Sequence, residues 1–175
     1  MKQPPFQPQP ISLEDKVAYA AKFFNGLTTD ERRSVGMSIE MSKRVKQTVK
    51  LIAQDSVSTR SYLSAIIRAH LAEFKPVHEY CRRLVYGQLE PGDTTVFEGS
   101  LANYVKTYMN PGDMIEAKAW MSIDRDLVKA MGSLVSWLND VTTISSFVNS
   151  ILEHHFAKYG DMLEEMKTDT YLAQP

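Results

Sequence analysis

This sequence is poor in cysteine and has no long apolar run, and we expect it to carry no leader segment. Cys81 is its one cysteine among 175 residues, which excludes an internal disulfide and a thiolate cage for a metal ion. No stretch approaches the roughly 18 uncharged residues of a membrane span, and the Pro-rich residues 1–11 contain no apolar signal core. We therefore predict a cytoplasmic protein without membrane contact, in which residues 1–11 are disordered.

Catalytic motifs are equally scarce. The sequence has no glycine-rich phosphate loop, no Ser or Cys nucleophile signature and no paired carboxylates in a recognisable context. A recombinase or relaxase needs a Tyr nucleophile beside a His or Arg cluster, and the scattered tyrosines do not show the spacing of such a site. We expect a protein that is not an enzyme and uses no cofactor.

The charges divide unevenly between the two halves of the chain. Residues 1–90 carry 14 Lys and Arg against 9 Asp and Glu, whereas residues 91–175 carry 6 against 12. The halves therefore have net charges of +5 and -6, although the whole chain is close to neutral at -1. A polyanion should bind the first half in preference to the second.

An internal repeat is the most informative feature that is present. The segment SYLSAIIRAHLAEF, residues 61–74, aligns with SFVNSILEHHFAKY, residues 146–159, at a constant offset of 85 without a gap. Ser and Thr residues just upstream predict an N-cap for each copy. Both copies have the spacing of a helix that buries one face, which in the first copy is made of Leu63, Ile66, Ile67, His70, Leu71 and Phe74.

Each copy is preceded by a second helical pattern and, before that, by an alternating one. Residues 43–55 and 126–140 space their apolar side chains for a helix. The stretches VGMSIEMS, residues 35–42, and AKAWMSID, residues 117–124, alternate apolar with other residues and predict strands. Because the tripeptide MSI recurs at an offset of 84, we predict a one-residue insertion between the second strand and its helix.

A strand followed by two helices resembles the ribbon-helix-helix units of the Arc and methionine repressor type, which read DNA with a two-stranded β-ribbon. A lone strand leaves its backbone groups unpaired, so each strand needs a partner. The two strands of one chain can pair as an intramolecular pseudo-dimer, or two chains can pair as a homodimer. The sequence admits both.

The predicted fold is mainly α-helical with a short β-ribbon, made of two ribbon-helix-helix units in tandem plus extra helices. Ser12 as N-cap and Gly26 as stop predict a first helix. Two further stretches, each ending in Pro-Gly-Asp, predict one helix apiece between the units. The predicted segments are an N-terminal helical segment, 12–34, a first unit, 35–75, a helical linker, 76–116, a second unit, 117–166, and a tail, 167–175.

The second unit also resembles a known family. The stretch from MSIDRD to FVNSILEHHFAKYG, within residues 117–166, is similar to an uncharacterised domain family of Bacteroides-type conjugative transposons and plasmids. The first unit looks like a more diverged version of it. The resemblance implies a ribbon-helix-helix fold in a conjugative mobile element, and it implies no mechanism.

Double-stranded DNA is the partner that this fold predicts, because the major groove admits a ribbon whose outward side chains meet base edges. With Met37, Ile39 and Met41 facing the core, the outward residues are Ser38, Glu40, Ser42, Lys118, Trp120 and Ser122. Base edges are usually read by Arg, Lys, Asn or Gln, and phosphates would repel Glu40. We expect a regulator or accessory factor that binds DNA either sequence-specifically or generally, with Trp120 placed to stack on or cover a partner surface.

Phosphates should bind where the second helix of each unit begins, because free backbone N–H groups and the positive end of the helix dipole meet there. The residues at these positions are Ser58, Thr59, Arg60, Thr142 and Thr143. Lys43, Arg44 and Lys46 add a basic face to the first helix of the first unit, which attracts DNA in a salt-dependent way. The alternative is that this face is only solvated.

Two readings of other residues complete the prediction. His70 and His155 lie in the apolar stripes, and we expect core or interface imidazoles with hydrogen-bond partners there, and no metal site.

The competing function is a non-enzymatic adaptor, in which the units only dimerise and the acidic second half docks a protein of the conjugation machinery. DNA binding would depend on salt, whereas the adaptor complex would resist nuclease.

Overall fold

The structure, a computed structural model, describes residues 11–90, 94–109, 115, 118–138 and 142–169. The described residues form a mainly helical fold with one two-stranded antiparallel sheet, as predicted. The predicted disorder of residues 1–10 and most of the predicted tail lie outside the described residues. The elements are α1 Leu13–Phe23, β1 Arg32–Ser38, α2 Ile39–Leu51, α3 Thr59–Glu73, α4 Lys75–Val85, α5 Thr94–Tyr108, β2 Lys118–Asp124, α6 Arg125–Trp137 and α7 Ile144–Thr168.

The predicted first helix is confirmed as α1. Ser12 is its N-cap, and the Ser12 hydroxyl accepts a hydrogen bond from the backbone N–H of Asp15 at 3.1 Å. Gly26 follows the helix with a positive φ of 70°, a conformation that glycine adopts at little cost. The predicted segment 12–34 is too long, however, because β1 already begins at Arg32.

The two strands of the chain pair with each other. β1 and β2 form an antiparallel ribbon in which Val35 lies opposite Met121 at the centre. Each strand thus supplies the backbone partners that the other needs, and the ribbon is complete within one chain. Of the two pairings that the sequence admits, the structure has the intramolecular one.

The second helix of each unit packs against the strand of the other unit: α3 contacts β2, and α7 contacts β1. Two matching hydrogen bonds mark this exchange. The backbone N–H of Asp124 donates to Ser64 Oγ at 3.1 Å, and that of Ser38 donates to Asn149 Oδ1 at 3.0 Å. Since Ser64 and Asn149 occupy equivalent positions of the repeat, the two halves are related by an approximate two-fold axis through the ribbon.

One hydrophobic core lies between the ribbon and the helices. The predicted stripes on α3 and α7 pack into it and are buried for most of their length, with Leu71 and Phe74 half-buried at the end of the first. Burial of each such side chain stabilises the fold by about 1.5–3 kcal/mol relative to leaving it in water. The most deeply buried members are Leu63, Ile66 and Ile67 of α3, and Val148, Ile151 and Leu152 of α7.

The predicted first strand, residues 35–42, is shifted from the observed one. β1 is Arg32–Ser38, and α2 begins at Ile39. Ser38 ends the strand because its Oγ accepts a hydrogen bond from the backbone N–H of Met41 at 3.2 Å and so caps α2. The alternation misled because it crosses this boundary: Met37 is buried on the strand and Met41 is buried on the helix, whereas Ile39 between them is exposed.

The predicted one-residue insertion also lies elsewhere. In both units the helix follows the strand directly, with Ser38 and Asp124 as equivalent N-cap residues. The difference in length falls between the helices, where residues 52–58 join α2 to α3 and residues 138–143 join α6 to α7. The recurrence of MSI is therefore not part of the structural repeat.

The repeat extends further upstream than the sequence indicated. α5, predicted as part of the linker, occupies the position in the second half that α1 occupies in the first. Tyr19 and Tyr104 lie 85 positions apart, with Tyr19 Oη 2.8 Å from His155 Nε2 and Tyr104 Oη 2.9 Å from His70 Nε2. The repeating unit is therefore helix, strand, helix, helix.

α4 differs from its counterpart, which is the C-terminal part of α7. α7 continues unbroken to Thr168, whereas α3 ends at Glu73 and α4 starts at Lys75. Pro76, at the start of α4, has no backbone N–H and cannot continue the hydrogen bonding of α3.

Among the described residues, no helix is both long and apolar enough to cross a membrane.

Candidate nucleic-acid interface

The ribbon has one buried face and one face turned away from the core. Residues directly opposite each other in antiparallel strands project to the same side. Val35, Met37, Met121 and Ile123 project inward, and each is at most 5% exposed. The alternate residues project the other way. Apart from Ser38 and Asp124, which end the strands, we call them the outer face of the ribbon: Arg32, Ser34, Gly36, Lys118, Trp120 and Ser122.

The outer face is cationic and carries a large accessible ring. Arg32, Ser34 and Lys118 are exposed, and Trp120 is 65% exposed. Arg32, Ser34 and Ser122 also line an open surface cavity together with Arg33. The face therefore offers hydrogen-bond donors, positive charge and a π surface to a partner.

Two helix N-termini flank the ribbon at opposite edges. Gly36 lies so close to the start of α7 that a Cβ atom there would approach Ser145 Oγ to 2.9 Å. At the other edge, Arg60 near the start of α3 reaches the end of β2, with its Nη2 2.8 Å from Asp124 Oδ1. Each N-terminus is capped: the hydroxyls of Ser58 and Thr143 accept backbone hydrogen bonds at 3.0 and 3.1 Å.

The predicted outward residues of the second strand are confirmed in place, but those of the first strand are not. Lys118, Trp120 and Ser122 lie on the outer face. Ser38 lies opposite Lys118, yet its hydroxyl and backbone N–H are used to cap α2 and to bind α7. Glu40 and Ser42 belong to α2, where Glu40 is exposed and Ser42 is buried, because the helix starts at Ile39.

Arg60 is held within the protein. Its guanidinium donates to Asp124 Oδ1 and to the backbone carbonyls of Thr29 and Glu31. These bonds hold Nε and Nη2 of Arg60 within the protein, so the residue joins α3 to the end of β2. A contact between Arg60 and a phosphate stays a prediction.

The remaining predicted residues at the helix starts lie where the sequence placed them. Ser58 caps α3, Thr59 is its first residue, and Thr143 caps α7. Thr142, next to the cap, is buried, and its Oγ1 has no hydrogen-bond partner among the residues that the structure describes.

The basic face of α2 is exposed as predicted. Lys43, Arg44 and Lys46 all lie at the surface of the helix. The Arg44 guanidinium lies over the ring of Phe156 on α7, with its Cζ 4.7 Å from the ring centre.

A comparison with protein families locates a further similarity. Residues 12–79 match a family model described as a protein of unknown function (DUF3408). The DUF3408 match runs from Ser12 before α1 into α4, and thus covers one whole helix, strand, helix, helix unit. The resemblance noted above rested instead on the second unit. No curated protein and no solved structure matches the chain.

The sequence-based prediction missed Arg32, Ser34 and Gly36, all within the DUF3408 match. The signal that could have found them is the pair of cations, Arg32 and Arg33, directly before an apolar alternation. A strand extended backwards from Val35 through these residues places Arg32 and Ser34 on the same side as Gly36.

His70 and His155 are confirmed as hydrogen-bonded core residues. Tyr19 Oη, besides contacting His155, lies 2.6 Å from Tyr62 Oη. Burial lowers the pKa of His70 and of His155 to about 3, and it raises the pKa of Tyr19, Tyr62 and Tyr104. Among the described residues, no group of three or more His, Cys, Asp or Glu side chains is placed to hold a metal ion.

Proposed function

We propose that this chain is a non-enzymatic protein that binds double-stranded DNA through the outer face of its ribbon. The observation that carries the proposal is that face: a two-stranded ribbon with one side buried and the other presenting Arg32, Lys118 and Trp120. A two-stranded ribbon fits the major groove of B-DNA, where Arg and Lys donate to guanine. The order of elements supports a tandem pair of ribbon-helix-helix units, a fold that reads DNA in this way.

The flanking helix N-termini would hold the phosphates on either side of the groove. Their free N–H groups and the positive ends of the helix dipoles favour an anion at each edge of the ribbon. Thr59 and Thr143 lie at these positions. Lys43 and Lys46, exposed on α2, would add a longer-range attraction that weakens with salt.

The setting of this function is part of the same proposal. The resemblance of residues 117–166 to proteins of conjugative transposons and plasmids supports a regulator or accessory factor of a mobile element, acting on DNA in the cytoplasm.

A protein adaptor is the second candidate. Leu84, Val85 and Tyr86 at the end of α4 are exposed large apolar residues that lie next to one another in the chain. Apolar side chains clustered at a surface favour contact with another protein. Such a partner would bind irrespective of DNA, and a pull-down that survives nuclease treatment would support this candidate.

Replacing Arg32 and Lys118 together should weaken DNA binding and flatten its dependence on salt. Each phosphate contact contributes about 0.9 to the slope of log K against log salt, so R32A/K118A should lower that slope by up to about 2 if both cations contact phosphates, and by less if they contact bases. Fluorescence anisotropy with a labelled random-sequence duplex at several salt concentrations measures it.

The matched control is Lys129→Ala, which removes one exposed cation from α6, outside the ribbon. Its affinity and slope should stay close to those of the wild type. Absence of binding by the wild-type chain even at low salt would contradict the proposed function and leave the adaptor as the candidate to pursue.

A further inference from the structure

The two strands of the ribbon present different side chains because they belong to one chain and not to two copies of it. Under the approximate two-fold relation, the first residues of the strands match, and so do the third and the fifth. Arg32 matches Lys118, and both are cations. Ser34, however, matches Trp120, and Gly36 matches Ser122. The ends of the outer face are alike in charge, and its centre is not symmetric.

The pairing of the strands gathers these differences into two halves. In one half Ser34 lies opposite Ser122, next to Arg32, and all three line the open cavity. We call this the polar half. In the other half Gly36 lies opposite Trp120.

This second half, which we call the tryptophan half, is defined by Trp120, Gly36 and Lys118. Lys118 runs beside Gly36, since a Cβ atom at Gly36 would lie 3.1 Å from Lys118 Cδ. Gly36 itself is buried beneath Lys118 and Ser145, and the exposed Trp120 ring is the largest accessible feature of this half.

The chemistry of the major groove gives each half a different preference. Guanine presents two acceptors, O6 and N7, which an Arg guanidinium can bind together, and Ser hydroxyls can bind either donors or acceptors. Thymine presents a methyl group, which apolar and aromatic side chains contact favourably. The polar half thus suits a G·C pair, and the tryptophan half suits an A·T pair with its methyl group beneath the ring.

We propose that the outer face recognises a non-palindromic duplex, with guanine under Arg32 and thymine under Trp120. This inference rests on the proposed DNA-binding function. A symmetric dimer presents the same side chains twice and reads a palindrome, whereas this ribbon presents two different halves. One chain therefore occupies one site, and it binds in a single orientation relative to the sequence.

Selection of bound sequences from a pool of random duplexes by the purified full-length chain tests the inference. The expected motif has no two-fold symmetry, with a required guanine on one side of its centre and a required thymine on the other. Arg32→Ala should reduce discrimination at the guanine position by about 10-fold, and Trp120→Ala should do so at the thymine position, each leaving the other position intact. Lys129→Ala and Tyr86→Ala, which remove an exposed cation and an exposed aromatic ring elsewhere, should leave the motif unchanged.

The outcomes separate the inference from the function on which it rests. If the chain binds no duplex DNA, the proposed function fails and the inference falls with it. If it binds DNA with no sequence preference or with a palindromic motif, the DNA-binding function stands and the inference is wrong. Loss of discrimination in both halves on replacing Arg32 alone would also overturn the assignment of one half to each residue.

Discussion

The free energy of unfolding should fall by at least about 4 kcal/mol between about pH 7.5 and about pH 5, because His70 and His155 are buried as neutral imidazoles and burial also lowers the pKa of His78 to about 4. In the folded protein, burial is the main cause that lowers the pKa of each to about 3; the neighbouring His78 and His154 lower the pKa of His70 further, and Lys158 and Lys22 lower that of His155. A histidine in an unfolded chain titrates near about pH 6.5. Below that pH the unfolded state binds protons that the folded state does not bind, so stability is lost as the pH falls.

Urea unfolding curves of the wild type across this range measure the effect. The control is His70→Gln/His155→Gln, in which an amide that does not titrate can still hydrogen-bond to Tyr104 and Tyr19. This variant should be less stable at neutral pH, but its free energy of unfolding should lose most of its dependence on pH. The carboxyl groups of Glu31 and Glu79, whose pKa values are lowered by Arg125 and Arg82, titrate below the range. A wild type of constant stability from neutral to about pH 5 would show that the imidazoles are not buried as neutral groups.

Asp124→Ala should destabilise the fold by about 1.5–3 kcal/mol, because it removes the charged hydrogen bonds that a buried carboxylate accepts from two arginines. Asp124 is 0% exposed, and its carboxylate receives Arg60 at Oδ1 and Arg68 at Oδ2, each at 2.8 Å. It occupies the N-cap position of α6 without capping that helix by its side chain. The carboxylate therefore joins the end of β2 to α3 and not to its own helix.

Asp126→Ala is the matched control, since Asp126 binds Arg68 at 3.0 Å but is half exposed. An exposed ion pair contributes about 0–1 kcal/mol, so this variant should unfold at nearly the wild-type denaturant concentration. Chemical denaturation of the two variants compares them directly. Equal losses for D124A and D126A would mean that the buried carboxylate does not hold the ribbon to α3.

The helices that carry the core could be read from the sequence, whereas the extent of the repeat could not. α3 and α7 share apolar side chains at every turn, and burial requires that periodicity. α1 and α5 share one identical buried residue, Tyr19 and Tyr104, and otherwise only a similar apolar spacing. Their equivalence became visible because each tyrosine reaches a histidine of the opposite unit, and such a contact depends on how the units are arranged in space.

Only the residues that β2 contributes to the outer face could be predicted from the sequence. On β2 the alternation runs to the end of the strand, and Lys118, Trp120 and Ser122 follow from it. On β1 the apolar spacing continues smoothly from strand into helix, so nothing in the pattern marks Ser38 as the boundary. The role of a charged residue is equally hard to read from the sequence. The position of Arg60 at the start of α3 suggests a phosphate contact, but in the structure its guanidinium forms an ion pair with the buried Asp124.

Accessibility of Trp120 in the presence of DNA tests most directly whether the outer face is the interface. Replacing the half-buried Trp137 by Phe leaves Trp120 as the one tryptophan, and acrylamide quenching of its fluorescence reports how exposed the ring is. Free protein should be quenched strongly, and saturation with duplex DNA at low salt should reduce the quenching constant several-fold. Unchanged quenching of Trp120 while anisotropy shows that DNA is bound would contradict binding through the outer face of the ribbon.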